Sequence, residues 1–328
     1  MSDTNNNSFS RVWHLIFGVA TGDAMGFPVQ FYKREQAKAL NVTGMVAHRS
    51  GNYPAGSWSD DTSMTLALAS SLCESGRLEY DDIMRRFSDW LRKGHYTPGG
   101  RAYDVGRTCF RALLRYSDGV APLDCGGQAK TDNGNGSLMR ISPLALYLRK
   151  EYGSDAFANV KAFTAVHNVS RLTHAHPIAL VGCDIFVAVL LSLMEGTQKD
   201  AAVLRGMEQV RAYADRRPEF KSAFAEYARI GEADFSLLPE SKIASSGYVV
   251  DTLEAALWCF LTTDSFRSCI IKVLGLGRDT DSIGAVAGAM AGIHYASSGE
   301  KDIPQEWSSA LQGQGLLMQT ARRLSEKY

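Results

Sequence analysis

The chain has 328 residues, and its 35 Lys+Arg balance its 35 Asp+Glu, so the formal net charge is zero. That balance excludes the basic excess with which a nucleic-acid binder displaces phosphate counterions. A hydrophobic content of 45% excludes a disordered regulator.

Taken in chain order, the Asn-rich start over residues 1–9 is expected to lack fixed structure. The run MSDTNNNSFSRVWHLIFG has no long apolar stretch after a basic one and does not read as a secretory leader. Phe17 to Gly26 carries a single acid, Asp23, among small residues; it suits a structural hydrogen-bonding role and a catalytic one equally. Thr62–Cys73, Ala/Leu-rich and preceded by Ser59-Asp60-Asp61, reads as a helix with its cap. Ile83, Phe87, Trp90 and Leu91 fall on one face of a second helix, Ile83–Leu91. Ser137–Leu148, Ala156–Val166, Ile178–Met194, Ala201–Ala214, Thr252–Leu261 and Ile283–Ala296 carry the same periodicity. The apolar stretch Pro177–Met194 barely reaches membrane-spanning length and holds Asp184 near its middle, so a buried helix and no membrane association are expected. The polar stretch 216–246 reads as a surface excursion or a small helical insert. Gly284, Gly288 and Gly292 recur every four residues in one helix, which points to another backbone close by, since each glycine costs about 1 kcal/mol against alanine there. No period-2 alternation marks a strand. The expected fold is all-α, a compact orthogonal multi-helix bundle.

Six cysteines (Cys73, Cys109, Cys125, Cys183, Cys259, Cys269) are scattered without a C-x-x-C pair, so a reduced, cytoplasmic setting is expected rather than a disulfide framework.

Two segments from opposite ends of the chain concentrate acids at helix starts. The first is Ser59-Asp60-Asp61-Thr62; the second is Asp279-Thr280-Asp281-Ser282 after the glycines of Gly275-Leu276-Gly277-Arg278. Each alone reads as a helix cap, although one Asp suffices for that and a second beside it repels it. Together they make a set of hard oxygen ligands of the kind Mg²⁺ or Mn²⁺ takes, and like charges gather at a cost unless a cation lies between them. Between them, Asp132 to Arg140 is a glycine-rich turn feeding a predicted helix. It reads either as an ordinary loop or as a phosphate cradle, with Arg140 assisting.

The ordered set GVATGDAMGFPVQF (18–31), GSWSDDTSMTLALA (56–69), YDVGRTCFRAL (103–113), NGNGSLMRISPLAL (133–146), THAHP (173–177), GYVVDTLEAALWCF (247–260) and GLGRDTDSIGAVAGAMAGIHYA (275–296) resembles the ADP-ribosylglycohydrolase family. The resemblance implies a single domain over 1–328 with a central two-metal cleft, because one site then draws on both ends of the chain. It implies two divalent cations, Mg²⁺ or Mn²⁺, held by Ser59, Asp60, Asp61, Asp279, Asp281 and Ser282. Asp60, Asp61 and Asp104 become candidate catalytic acids. Gly134, Asn135, Gly136, Ser137, Met139 and Arg140 of the turn, with His174, Tyr248 and Gly277, become candidate contacts to ADP-ribose. The implied activity is hydrolysis of the bond between ADP-ribose and a protein side chain, arginine first, by a monomer. The alternatives are an O-linked substrate (serine, acetyl-ADP-ribose or nucleic acid) or a weakly active ADP-ribose binder that blocks a transferase. One departure bears on the linkage: members often carry an acid where this chain has Gln30, and an amide is neither a general base nor an anionic ligand.

Overall fold

The computed structural model describes residues 2–328, with side chains from Ser8 onward. The expectation for residues 1–9 therefore falls mostly outside the described side chains. Fifteen α-helices follow one another among the described residues: α1 (Ser2–Gly26), α2 (Arg34–Leu40), α3 (Asp60–Ser75), α4 (Tyr80–Lys93), α5 (Arg107–Ser117), α6 (Leu144–Tyr152), α7 (Val160–Arg171), α8 (Pro177–Met194), α9 (Lys199–Ala214), α10 (Pro218–Ala225), α11 (Val249–Leu261), α12 (Phe266–Leu276), α13 (Thr280–His294), α14 (Gln305–Ala310) and α15 (Gln314–Lys327). There is no strand among them; the extended pairings are two isolated bridges, Gly127–His174 and Gly134–Tyr248. The fold is all-α, as the periodicity indicates.

The helices that matter most for the site are α1 and α13. The glycine stripe of α13 does meet another backbone, and that backbone is α1, which carries a matching stripe at Gly18, Gly22 and Gly26. A Cβ placed on Gly22 would stand 1.9 Å from the carbonyl oxygen of Gly284, and one on Gly288 would stand 2.2 Å from that of Gly18. Gly26 lies equally close to the Thr280 carbonyl, at 2.2 Å. The two helices thus touch main chain to main chain along three turns, and that contact lays the first helix of the chain against the acidic start of α13.

Helix α8 forms the centre of the other half. By length and apolarity it would cross a membrane, yet 94% of its residues are buried inside the protein, among α6, α7, α9, α10, α11 and α13. Its acid, Asp184, is wholly buried and paired with His167 Nε2 on α7 at 2.7 Å. Burial raises the Asp184 pKa, and the histidine opposes that rise.

Two helix boundaries differ from the periodicity reading. The helix expected over Ser137–Leu148 begins only at Leu144; Ser137–Pro143 is a series of turns, because the residue before a proline is steered out of the α region. The helix expected over Ala156–Val166 is split. A 3-10 turn covers Ala156–Ala158, and α7 restarts after Asn159, whose side chain accepts from Lys161 N at 3.0 Å. The stretch 216–246 is helical rather than a loose excursion: it holds α10 and short 3-10 turns, and it sends Tyr227, Ile230, Phe235 and Ile243 into the core. The hydroxyl of Tyr227 donates to the Ile178 carbonyl at 2.8 Å.

The α1–α13 contact predicts opposite signs for two glycine substitutions. Gly22→Ala should lower unfolding stability by about 3 kcal/mol, the upper end of overpacking costs, because the facing carbonyl belongs to backbone that cannot step aside. Gly315→Ala, in α15 with open space around it, should raise stability by about 0.4–1 kcal/mol. Urea unfolding followed by circular dichroism measures both.

Candidate functional site

The acids at the start of α3 are not its caps. Ser59 takes the N-cap position, and its hydroxyl donates to Asp61 Oδ2 at 2.8 Å. Asp23, arriving from α1, accepts from Ser59 N at 3.0 and 3.1 Å, from Thr62 N at 3.0 Å and from Thr62 Oγ1 at 2.6 Å. Asp23 therefore satisfies the free N–H groups of a helix it does not belong to, and this settles it as a structural acceptor. Asp60 and Asp61 are left free of capping duty. At the other helix start, Asp279 occupies the N-cap of α13 without a side-chain capping bond. Its amide donates to the Ser245 carbonyl at 3.0 Å, and its carboxylate accepts from Asn135 Nδ2.

The electrostatics of this set are one-sided. Burial, then the neighbouring carboxylates, pushes Asp60, Asp61 and Asp281 well above the ordinary carboxylate range, although a Ser59 hydrogen bond partly offsets this for Asp61. Burial lifts Asp23 and Asp279 to about 6, against their hydrogen bonds. Asp61 Oδ1 and Asp281 Oδ1 are buried without a hydrogen-bond partner. Gln30 is also buried, with Oε1 unpartnered. Orphaned, mutually repelling oxygens are a donor set that fits a hard divalent cation. Among the described residues no group of three or more His, Cys, Asp and Glu is arranged to hold a metal, so a cation here would draw on hydroxyl oxygens and water beside one or two carboxylates.

These acids floor a cavity of about 650 Å³. Asp60, Asp104, Asp279, Asp281 and Ser282 line it, whereas Ser59 and Asp61 lie beneath. Asp104 holds a φ of +55°, a conformation asparagine and aspartate tolerate better than most residues, and this turns the chain into the cavity just ahead of α5. The wall opposite is the glycine turn. Asn135 N donates to the Gly247 carbonyl and Val249 N to the Asn133 carbonyl, both at 3.0 Å, which ties the turn to the segment carrying Tyr248. Gly134, Asn135, Gly136, Met139, His174 and Tyr248 all line the cavity. Glycine is required at 136, where a Cβ would stand 2.9 Å from His174 Cε1 and 2.8 Å from Cys109 Sγ. The His174 Nδ1 is bonded to Thr173 Oγ1 at 2.8 Å. Burial first, then Arg140, lowers its pKa to about 3, so it is neutral at physiological pH.

Three residues expected to touch substrate do not line the cavity. Arg140 is fully buried beneath the turn, where its Nη1 donates to the Gly136 carbonyl at 2.6 Å and its guanidinium sits 4.6 Å over the Phe87 ring; it is a strut. Ser137 is buried and accepts from Ser170 Oγ at 2.9 Å. Gly277, at φ +68°, packs under the Tyr32 carbonyl. Nor does the glycine turn feed a helix N-terminus, since α6 starts at Leu144. Besides the acidic starts of α3 and α13, the start of α5 opens on the cavity, with Gly106, Arg107 and Thr108 at the lining. Arg107, Lys130 and Phe31, at the mouth, escaped sequence reasoning. Gly106 before the helical spacing of Thr108, Cys109, Ala112 and Leu113 was the available signal for α5, and nothing local marked Lys130 or Phe31.

Two measurements follow from this geometry. A raised folded-state pKa means that Asp279 contributes stability in full below its ordinary value of 3.8 and loses it as pH rises through about 6. In EDTA, wild type should therefore lose stability relative to Asp279→Asn between pH 4 and pH 7, and Mg²⁺ at pH 7 should recover stability in the wild type alone. Arg140→Lys should cost about 1.5–3 kcal/mol of folding stability, through a lost charge-assisted bond to the turn, while Lys130→Ala leaves stability unchanged; thermal unfolding of the pair tests this.

A sequence model described as ADP-ribosylglycohydrolase matches residues 4–328. Similar proteins include an ADP-ribosylarginine hydrolase, Tri1, of Serratia proteamaculans (strain 568), 29% identical over 97% of this chain and 80% of that one. The ADP-ribosyl-[dinitrogen reductase] glycohydrolase of Rhodospirillum rubrum is 32% identical over 94% of this chain and 92% of that one. A solved structure described as "ADP-ribosylglycohydrolase-related protein complex" superposes with a TM-score of 0.76 at 29% identity, over 98% of this chain and 99% of that one. With the family match running through both acidic helix starts and the glycine turn between them, the chain belongs to the ADP-ribosylglycohydrolase family.

Proposed function

We propose that this protein hydrolyses the N-glycosidic bond between ADP-ribose and a modified arginine side chain, in a reaction dependent on two divalent cations, Mg²⁺ or Mn²⁺. The observation that carries this reading is the convergence of two helix starts, from opposite ends of the chain, whose carboxylates are buried without a cationic partner among the described residues, two of their oxygens orphaned, beside a cavity of about 650 Å³. Support for arginine comes from the names of relatives: ADP-ribosylarginine hydrolase at 29% and 30% identity.

Ser59, Asp60, Asp61, Asp279, Asp281 and Ser282 would hold the cations. Bound to such oxygen sets, divalent cations supply Lewis acidity toward sugar hydroxyls and water. The chain's own residues do the rest. The Asn133–Gly136 turn and Tyr248 form the wall against which ADP-ribose lies. His174, neutral and locked by Thr173, supports that wall without adding charge. Asp60 and Asp104 face the cavity, and one of the two accepts the proton of the attacking water. The bond from C1″ to the guanidine nitrogen breaks as the bond from C1″ to the water oxygen forms. Positive charge grows at the anomeric carbon, and the surrounding carboxylates stabilise it. The leaving guanidine is a strong base and takes up a proton readily, so the site needs no strong acid at Gln30.

The test compares release of ADP-ribose from arginine-linked and serine-linked peptides, with and without EDTA. Arginine-linked release should dominate and EDTA should abolish it. Asp60→Asn and Asp279→Asn should each lower kcat by on the order of 100-fold or more, with the helical circular-dichroism spectrum intact. Full-rate release by cation-stripped protein, or a preference for serine, overturns the reading.

A further inference from the structure

Helix α5 leads away from the cavity mouth with an outward face that is unusual for a surface helix. It buries Thr108, Cys109, Ala112 and Leu113. Arg107, Phe110, Arg111 and Leu114, at positions i, i+3, i+4 and i+7, therefore share the opposite face. Polar residues normally fill such a face, yet Phe110 is 43% exposed and Leu114 45% exposed. Neither Arg107 nor Arg111 pairs with a carboxylate among the described residues. There is no acid in the first turn of α5, so the positive end of the helix dipole adds to Arg107. The result is a basic and apolar stripe, about 10 Å long at 1.5 Å per residue, in a protein whose total charge is zero. It is continuous with the cavity, because Arg107 and Thr108 line the mouth.

We propose that this face of α5 docks the ADP-ribosylated target polypeptide, through a segment that carries acidic and large apolar residues beside the modified arginine; the proposal rests on the reaction assigned above. Charge complementarity selects the occupant. An acidic segment neutralises Arg107 and Arg111 and complements the dipole, while its apolar side chains cover Phe110 and Leu114. A second copy of this chain would instead bring two more arginines to the same face and no acid from that stripe to neutralise them. Continuity with the mouth lets one segment deliver its modified side chain to the floor while its flanks lie along the helix.

Three substrates separate this from the chemistry: free ADP-ribosylarginine, an arginine-ADP-ribosylated peptide flanked by Glu and Leu, and the same peptide with Lys in place of Glu. At low salt the Glu/Leu peptide should show a KM about 10-fold below that of the Lys peptide, equivalent to about 1.4 kcal/mol, and the advantage should shrink as salt rises. The double variant Arg111→Glu/Leu114→Ser, with neither residue at the cavity, should erase that advantage while leaving kcat and the KM for free ADP-ribosylarginine unchanged. Equal KM values for the two peptides overturn the proposal. So does a variant that shifts the KM for free ADP-ribosylarginine equally, or one whose main effect is a change from dimer to monomer. Fluorescence anisotropy of both modified peptides on cation-free protein reads docking without turnover. A Glu/Leu preference there, with no hydrolysis once Mg²⁺ or Mn²⁺ is added back, would refute the reaction and keep the docking face; hydrolysis with no preference would do the reverse.

Discussion

Everything at the site depends on main chain meeting main chain between α1 and α13. Helices separated by ordinary side chains lie 8–10 Å apart; these two touch through Gly18, Gly22, Gly26, Gly284, Gly288 and Gly292. That closeness puts Asp23 within reach of the start of α3, where it accepts from Ser59 and Thr62. It also sets the start of α13 beside the same end of α1, so that Asp279 and Asp281 share a floor with Asp60. Six glycines, each a poor helix residue, are the local cost of a contact that joins the two ends of the chain.

The floor so assembled works against the fold. Burial, and then the neighbouring carboxylates, raises the pKa of Asp60 and Asp281, and two oxygens of the set, on Asp61 and Asp281, have no partner. Stability is spent where a ligand binds, and a cation or a proton offsets it. The surrounding structure is built to tolerate this. Arg140 is committed to the turn rather than to the acids, and Asn135 supplies a neutral donor to Asp279. Positive charge is kept instead at the rim, on Arg107 and Lys130. The site of a chain with zero net charge thus combines an acidic floor with a basic mouth.

The helical class, the buried character of α8, the two acidic helix starts and the glycine turn are all local statements, and all were legible from residue spacing. The close-packing face of α13 was legible too, because three glycines at four-residue spacing have few other uses. Its partner on α1 was hidden: Gly18, Gly22 and Gly26 stand in a segment whose one acid drew attention, and nothing in a single helix says which other helix it meets. The boundary at Leu144 was blurred because the apolar pattern runs straight through Pro143.

What the sequence determined by itself was therefore composition at short range: which segments coil, which acids crowd together and where glycine permits a tight turn. Only the tertiary structure decided which of those residues face the same space. It assigned Asp23 to capping and so released Asp60 and Asp61. It withdrew Arg140, Ser137 and Gly277 behind the cavity wall, and it brought Arg107 and Lys130 to the mouth. The reason is physical. A residue's type sets what it can bond, but burial and neighbours set what is left unbonded, and those neighbours come from the far end of the chain.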